Sequence, residues 1–209
     1  MQKPIIDFPK IKSPFIRETS NGRYIVTPNI EPGYEWVFED PGVKAVDKLH
    51  GTNVCIHLEN GVLTGIDNRK TRVIINPFIS IYLPRNIARM LEGVINSISA
   101  GFLKERETCS IFGEMIGPHL NGNIHGVDRP YFIPFDTLEK GYHWRSWVQN
   151  DYPKTFESIS SWFKELPSLF TQKKGSGNHL AEGLIFLHPD GRRAKLRRDM
   201  FDWYEGPKH

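Results

Sequence analysis

The dipeptide Asn60-Gly61 stands between two alternating segments, Val54 to Glu59 and Val62 to Asp67. Asn-Gly adopts the paired left-handed conformations of a turn that matches the twist of antiparallel strands, so the two segments form a hairpin. A second constraint lies near the end, where the proline-led turn His188-Pro189-Asp190-Gly191 joins Glu182 to Leu187 with Arg192 to Arg198. Thr108 to Met115 and Tyr131 to Leu138 read as further strands, and Arg23 to Pro28 as the one strand of the first thirty-three residues. Helices are inserted between them. Ile87, Met90, Leu91, Val94, Ile95 and Ile98 recur at helical spacing within Arg85 to Phe102, and Thr155 caps a helix over Phe156 to Leu166. Thr171 to His179 reads as a loop, and the crowded Trp144, Trp147 and Tyr152 fit no single element. Two hairpins with irregularly placed helices predict an α+β fold of twisted antiparallel sheets with flanking helices.

A chain of 209 residues suits one large domain or at most two small ones, and the expectation is a single domain over 1–209 with no separate C-terminal domain. No apolar run approaches the roughly 18 residues that cross a bilayer, and the start lacks the order of a secretory signal. A cytoplasmic protein without a membrane partner is expected. Cys55 and Cys109 stand singly, away from any Cys-x-x-Cys pattern, and read as core residues rather than metal ligands or a disulfide. The net charge of +3 permits a polyanionic partner without demanding one.

The chemistry-bearing stretch is Lys48-Leu49-His50-Gly51-Thr52-Asn53, read as a turn between the apolar strands Val43 to Val46 and Val54 to Leu58. A lysine in a partly dry pocket among other cations spends more time as the free, nucleophilic amine. Gly51 lets backbone approach a phosphate or sugar closely. Taken alone, such a lysine is ordinarily a solvated surface charge, so its companions decide. Glu114, at a strand end, is an acceptor for ribose hydroxyls, and Phe135 offers a face to a purine. Glu182 suits a hydrated Mg²⁺ beside phosphates. Lys195 and Arg197 are two apart on one strand and therefore share a face toward a phosphate. Lys70, Arg72, Lys173 and Lys174 could follow a phosphate backbone, and the loop Gly117 to Pro130 carries His119 and His125. Each also has a plain explanation as a surface charge or a core aromatic.

In order along the chain, Lys48-Leu49-His50-Gly51, Arg69 after the hairpin, Phe112-Gly113-Glu114, Phe135-Asp136, Glu182-Gly183-Leu184 and Lys195-Leu196-Arg197 resemble the motifs of the covalent nucleotidyltransferase superfamily of ligases and capping enzymes. The resemblance is nearest to RNA ligases of the bacteriophage T4 RNA ligase 2 type, and it covers about Trp36 to Phe201. It implies the ATP-grasp-like ligase domain and an ATP-dependent RNA ligase with a lysyl-AMP intermediate. Lys48 and Lys195 would be catalytic. His50, Gly51, Arg69, Glu114, Phe135, Glu182 and Arg197 would join them in holding the nucleotide, with Glu182 on the metal. The implied cofactors are ATP and Mg²⁺, with Mn²⁺ as a substitute. The implied partner is RNA, nicked or with 5′-phosphate and 3′-hydroxyl ends, in the cytoplasm or in that of a phage-infected host.

The chain departs from the family at Arg197, where a lysine is usual; a guanidinium is a better phosphate clamp than proton donor. The resemblance also leads to the expectation that the family's further nucleic-acid-gripping domain is missing after Phe201 and that a protein partner supplies it. A DNA ligase and an mRNA-capping guanylyltransferase share the lysine chemistry. A catalytically silent nucleic-acid-binding module is the rival from another class, and it predicts RNA binding indifferent to Lys48→Ala.

Overall fold

Asn21-Gly22, the same dipeptide as Asn60-Gly61, turns β1 (Phe15–Ser20) back onto β2 (Arg23–Ile30), with both turn residues at positive φ. This hairpin is one strand richer than the sequence reading, although its signal is the same. The computed structural model describes residues 7–69, 71–75, 85–104, 107–144 and 154–206. Trp147, Tyr152 and Lys70 lie outside them. The remaining elements are α1 (Trp36–Glu39), β3 (Lys44–Lys48), β4 (Thr52–Glu59), β5 (Val62–Asp67), β6 (Arg72–Ile74), α2 (Arg85–Ser99), β7 (Cys109–Ile116), β8 (Tyr131–Pro134), α3 (Phe135–Gly141), β9 (His143–Trp144), α4 (Phe156–Lys164), α5 (Leu169–Lys174), β10 (Gly183–Leu187) and β11 (Arg193–Arg197). The class is α+β, and among the described residues every strand pairing is antiparallel.

The backbone divides into two compact units, Met1–Pro9 with His50–Leu138 and Lys10–Leu49 with Glu139–His209. The first unit holds a five-stranded sheet in the order β6-β5-β4-β7-β8. Val54, Ile56, Met115 and Phe132 on this sheet and Ile87, Met90 and Val94 on α2 form its core. Ile95 and Ile98 of α2 are exposed, contrary to the expected stripe. The buried row continues instead through Ser97, whose hydroxyl donates to the Gly93 carbonyl and accepts from the Phe132 amide at 2.7 Å.

The second unit holds a four-stranded sheet in the order β11-β10-β3-β9, with the β1–β2 hairpin beside it in sequence. Ala45, Leu184, Phe186, Ala194 and Leu196 point from this sheet into a core shared with Phe163 of α4 and with Phe201. Thr155 caps α4 as expected, accepting from the Ser158 amide.

Three local expectations are corrected. β3 and β4 are not a hairpin, because they belong to different sheets, and Lys48 is the last residue of a strand rather than part of a turn. Phe135 begins a helix: Pro134 can offer no further ladder N–H, and Asp136 puts a carboxylate in the first helical turn. Thr171 to Lys174 are helical, since Ser168 caps α5 by accepting from the Thr171 amide and Gly175, at φ 66°, ends it.

Cys55 and Cys109 are free thiols, the former buried, and burial pushes the Cys55 thiol up to about 11. Among the described residues no helix is long and apolar enough to cross a membrane.

Candidate active site

Alternation along β3 sends Ala45 and Asp47 toward the core of the second unit and Val46 and Lys48 to the opposite face. Across the sheet, Lys48 pairs with Gly183, and Gly183 pairs with Arg197. The neighbouring row is Val46, Ile185 and Lys195. One face of three strands therefore carries Lys48, Lys195 and Arg197, the last two as their spacing of two requires. Gly183 makes the row passable. A Cβ there would fall 2.6 Å from the Leu196 carbonyl oxygen and 3.2 Å from Cδ of Lys48, so the lysine chain lies over a bare α-carbon.

The amine of Lys48 reaches Oε2 of Glu182 at 2.5 Å and the Leu49 carbonyl at 3.2 Å. Glu182 is almost wholly buried, its side chain 3% exposed against 22% for Lys48. A buried carboxylate needs a partner to offset its desolvation, and Lys48 is that partner. The backbone that presents Glu182 is fixed by Arg198. The Arg198 amide donates to the Glu182 carbonyl at 2.9 Å, and its guanidinium donates to Ala181 O at 3.1 Å and Lys164 O at 2.7 Å. The same guanidinium lies over the Phe163 and Trp203 rings.

Arg197 forms an ion pair with Asp199 at 3.1 Å. Burial and then the charge of Arg197 hold Arg17 below the usual arginine range, which makes Arg17 a further cation within electrostatic reach of the basic strand. No motif points to it; its only signal is a charge inside β1, a strand absent from the sequence reading.

Asp47, on the core face, is 1% exposed. Its Oδ2 accepts from the Ser168 hydroxyl at 2.7 Å and the Phe170 amide at 2.9 Å, at the start of α5. Burial pushes its carboxyl up to about 6 in spite of these bonds, and the charge of Glu182 adds to the rise.

In the first unit, Gly51 is in closest packing with the end of β7. A Cβ on it would lie 2.4 Å from the Met115 carbonyl oxygen and 2.9 Å from Cγ of Glu114, so the glycine brings the motif turn against Glu114. Asn121 donates to the Gly51 carbonyl, and Nε2 of His125 accepts from the His50 amide at 2.8 Å. The Phe135 ring meets Phe8 edge-on with centroids 4.8 Å apart, and Phe8 meets Phe112 at 5.3 Å. Arg69 is exposed, with its guanidinium 3.7 Å from Asp7.

Two of the four residues expected to follow a phosphate backbone are otherwise engaged. Arg72 is bound to the buried Asp67 at 2.8 and 2.5 Å, and His57 is 2.9 Å from the same carboxylate. Burial pushes Asp67 up, but hydrogen bonds from Arg72 and His57 outweigh it and hold the carboxyl below its usual range. Lys173 donates to the Gly141 carbonyl and lies 4.9 Å above the Tyr142 ring.

Among the described residues no three His, Cys, Asp or Glu side chains gather to hold a metal ion. A single buried carboxylate such as Glu182 fits only a hard cation that brings its other ligands as water and phosphate oxygens, which is how Mg²⁺ is ordinarily held.

No model of a known family matches the chain, and no curated protein does. Its backbone is similar to solved structures of Naegleria gruberi RNA ligase. An apo lysine-to-alanine mutant has 18% identity and a TM-score of 0.46, over 91% of this chain and 61% of that one. A glutamate-to-alanine mutant with ATP and Mn has 17% identity and a TM-score of 0.45, over 91% and 62%. A lysine-to-methionine mutant with AMP and Mn has 17% identity and a TM-score of 0.43, over 90% and 59%. The chain thus spans about three-fifths of the length of the solved structures that it matches.

Proposed function

We propose that this chain is the nucleotidyl-transferring part of an ATP-dependent RNA ligase of the T4 RNA ligase 2 type, with Lys48 as the nucleophile. The observation that carries the proposal is the cross-strand row of Lys48, Gly183 and Arg197, with Glu182 bonded to the lysine amine at 2.5 Å. A nucleophilic amine, a carboxylate in contact with it and two cations on the same strand face are what phosphoryl transfer to nitrogen needs, since that chemistry consists of positioning and charge neutralisation.

In the first step the Lys48 nitrogen forms a bond to the α-phosphorus of ATP while the bond from that phosphorus to the bridging oxygen breaks and pyrophosphate leaves. Attack needs the nitrogen lone pair, so the ammonium proton must first be given up to solvent, and Oε2 of Glu182 orients the amine. Arg197 and Lys195 would hold phosphate oxygens. Glu182 would hold Mg²⁺ or Mn²⁺, which when bound neutralises charge on those oxygens. AMP then passes to an RNA 5′-phosphate, and a 3′-hydroxyl displaces it to seal the strand. Glu114, Phe135 and Arg69 keep the ribose, purine and phosphate roles that the motif order gives them.

The test is incubation with ATP labelled at the α-phosphate and a divalent cation, followed by denaturation. Covalent label in the natural chain, absent from Lys48→Ala, is expected. Folded protein that takes up no label overturns the proposal. Competition by GTP, and nicked RNA against nicked DNA, separates the ligase from a capping enzyme and from a DNA ligase.

A further inference from the structure

We infer that His125 and Asn121, on the loop between β7 and β8, are positioning residues that hold the backbone just after Lys48 at two successive residues, His50 and Gly51. The inference rests on the proposal that Lys48 is the nucleophile.

His125 is 1% exposed, and its Nε2 lies 2.8 Å from the His50 amide nitrogen. A backbone N–H can only donate, so Nε2 must accept, and the neutral ring carries its proton on Nδ1. One residue on, the Asn121 amide donates to the Gly51 carbonyl and lies 3.5 Å from the Thr52 hydroxyl. The chain is therefore held from the donor side at residue 50 and from the acceptor side at residue 51. Leu49 alone separates this grip from Lys48.

The loop is itself built to be stiff. His119, Asn121, Gly122 and Asn123 all have positive φ, a run that needs glycine or asparagine at most positions. Three backbone bonds of 2.9–3.0 Å close it on itself, from Leu120 to Gly117, from Asn123 to Leu120 and from Gly126 to Asn123. The Asn123 side chain donates to Val127 O at 2.9 Å, and Leu120 is buried in the core of the first unit. On the opposite side of the turn, Gly51 is pressed onto Met115 O and Glu114. A polypeptide that only needed to connect β3 to β4 has no use for two buried or strained side chains aimed at the backbone of consecutive residues. A nucleophile that must meet phosphorus in line does, because a displacement of about an ångström removes much of the rate.

The experiment compares the natural chain with His125→Ala, His125→Gln and Asn121→Ala. It measures single-turnover lysine labelling at saturating ATP, the apparent ATP dissociation constant and urea unfolding. Gln can place an oxygen acceptor near the site of Nε2. His125→Ala and Asn121→Ala should each slow labelling on the order of tenfold, one hydrogen bond's worth, with ATP affinity little changed. His125→Gln should recover most of the rate. In ¹⁵N-labelled protein, His125 should show a bare Nε2, and the His50 amide resonance should move in His125→Ala. If His125→Ala does not fold, His125→Gln and Asn121→Ala carry the comparison. Variants that label at the natural rate while the natural chain forms its adduct overturn the inference, as does a proton found on Nε2 of His125. If the natural chain forms no adduct, the ligase proposal fails by itself, and the histidine resonances still decide whether the turn is held.

Discussion

Replacing Asp47 by asparagine should flatten the dependence of stability on pH in a window set by one buried carboxyl. Asp47 is 1% exposed and its pKa rises from 3.8 to about 6, chiefly through burial. A group that binds its proton more tightly folded than unfolded loses stability for the protein as pH climbs through that interval. At 1.36 kcal/mol per unit the loss is about 3 kcal/mol, complete above pH 6. The asparagine side chain cannot ionise, yet it keeps an oxygen to accept from the Ser168 hydroxyl and the Phe170 amide. Any cost of burying its NH₂ is independent of pH and cancels in the comparison. Urea unfolding of both proteins from pH 4.5 to 7.5 measures the effect. The gap should move in favour of Asp47→Asn by about 2 kcal/mol across that range, because roughly 1 kcal/mol of the total is already present at its lower end. Parallel stability curves would refute the reasoning, since they would mean that the hydrogen bonds from α5 offset the burial.

Three further outcomes are expected. His188 lies 2.6 Å from Asp40 and 2.8 Å from Asp190, and the hydrogen bond to Asp40 raises its pKa above the ordinary histidine value. Its stabilising contribution should be full below about pH 6.5 and fade as pH rises through the higher folded value; His188→Gln should remove that slope, and NMR titration should locate it. Gly183→Ala forces a Cβ to within 2.6 Å of the Leu196 carbonyl oxygen and onto the Lys48 chain, and should cost about 2 kcal/mol in urea unfolding together with most of the lysine labelling. Phe8→Ala removes two edge-on ring contacts, with Phe135 and Phe112, worth about 1 kcal/mol each. If the purine uses the face of Phe135, it competes with Phe8, and the variant should bind ATP on the order of tenfold tighter by calorimetry.

The sequence is most legible where a residue's local physics and its tertiary use coincide. Asn60-Gly61 makes the same turn in any context, and Lys195 and Arg197 share a face in any strand. The α4 cap at Thr155 needs only the hydroxyl and the amide three residues on. Where the outcome depends on partners, the pattern is silent or misleading. Nothing in Val43 to Leu58 tells that β3 and β4 enter different sheets, because apolar flanks around a polar segment also describe a hairpin. Phe135 follows an apolar strand in sequence, but the missing N–H of Pro134 outweighs β propensity. Gly51 reads in sequence as room for a ligand, and the space a Cβ would take there is filled by Met115 O and Glu114. The grip of His125 on the motif turn joins residues 75 apart in sequence, beyond the reach of any local rule.

The register of β3 is over-determined, and that is what fixes the candidate nucleophile. Successive residues meet opposite demands: Asp47 must enter the core to receive Ser168 and the Phe170 amide, and Lys48 must leave it to meet Glu182. A slip of one residue would exchange the two faces, bringing the Lys48 ammonium opposite Leu184 among apolar side chains. It would also break the 2.5 Å contact between Lys48 and the buried Glu182. Each uncompensated buried charge costs several kcal/mol, a large share of the roughly 5–15 kcal/mol by which a domain is stable. The alternative register is therefore excluded by the charges themselves, and the residue pair Asp47-Lys48 both aligns the strand and aims the amine.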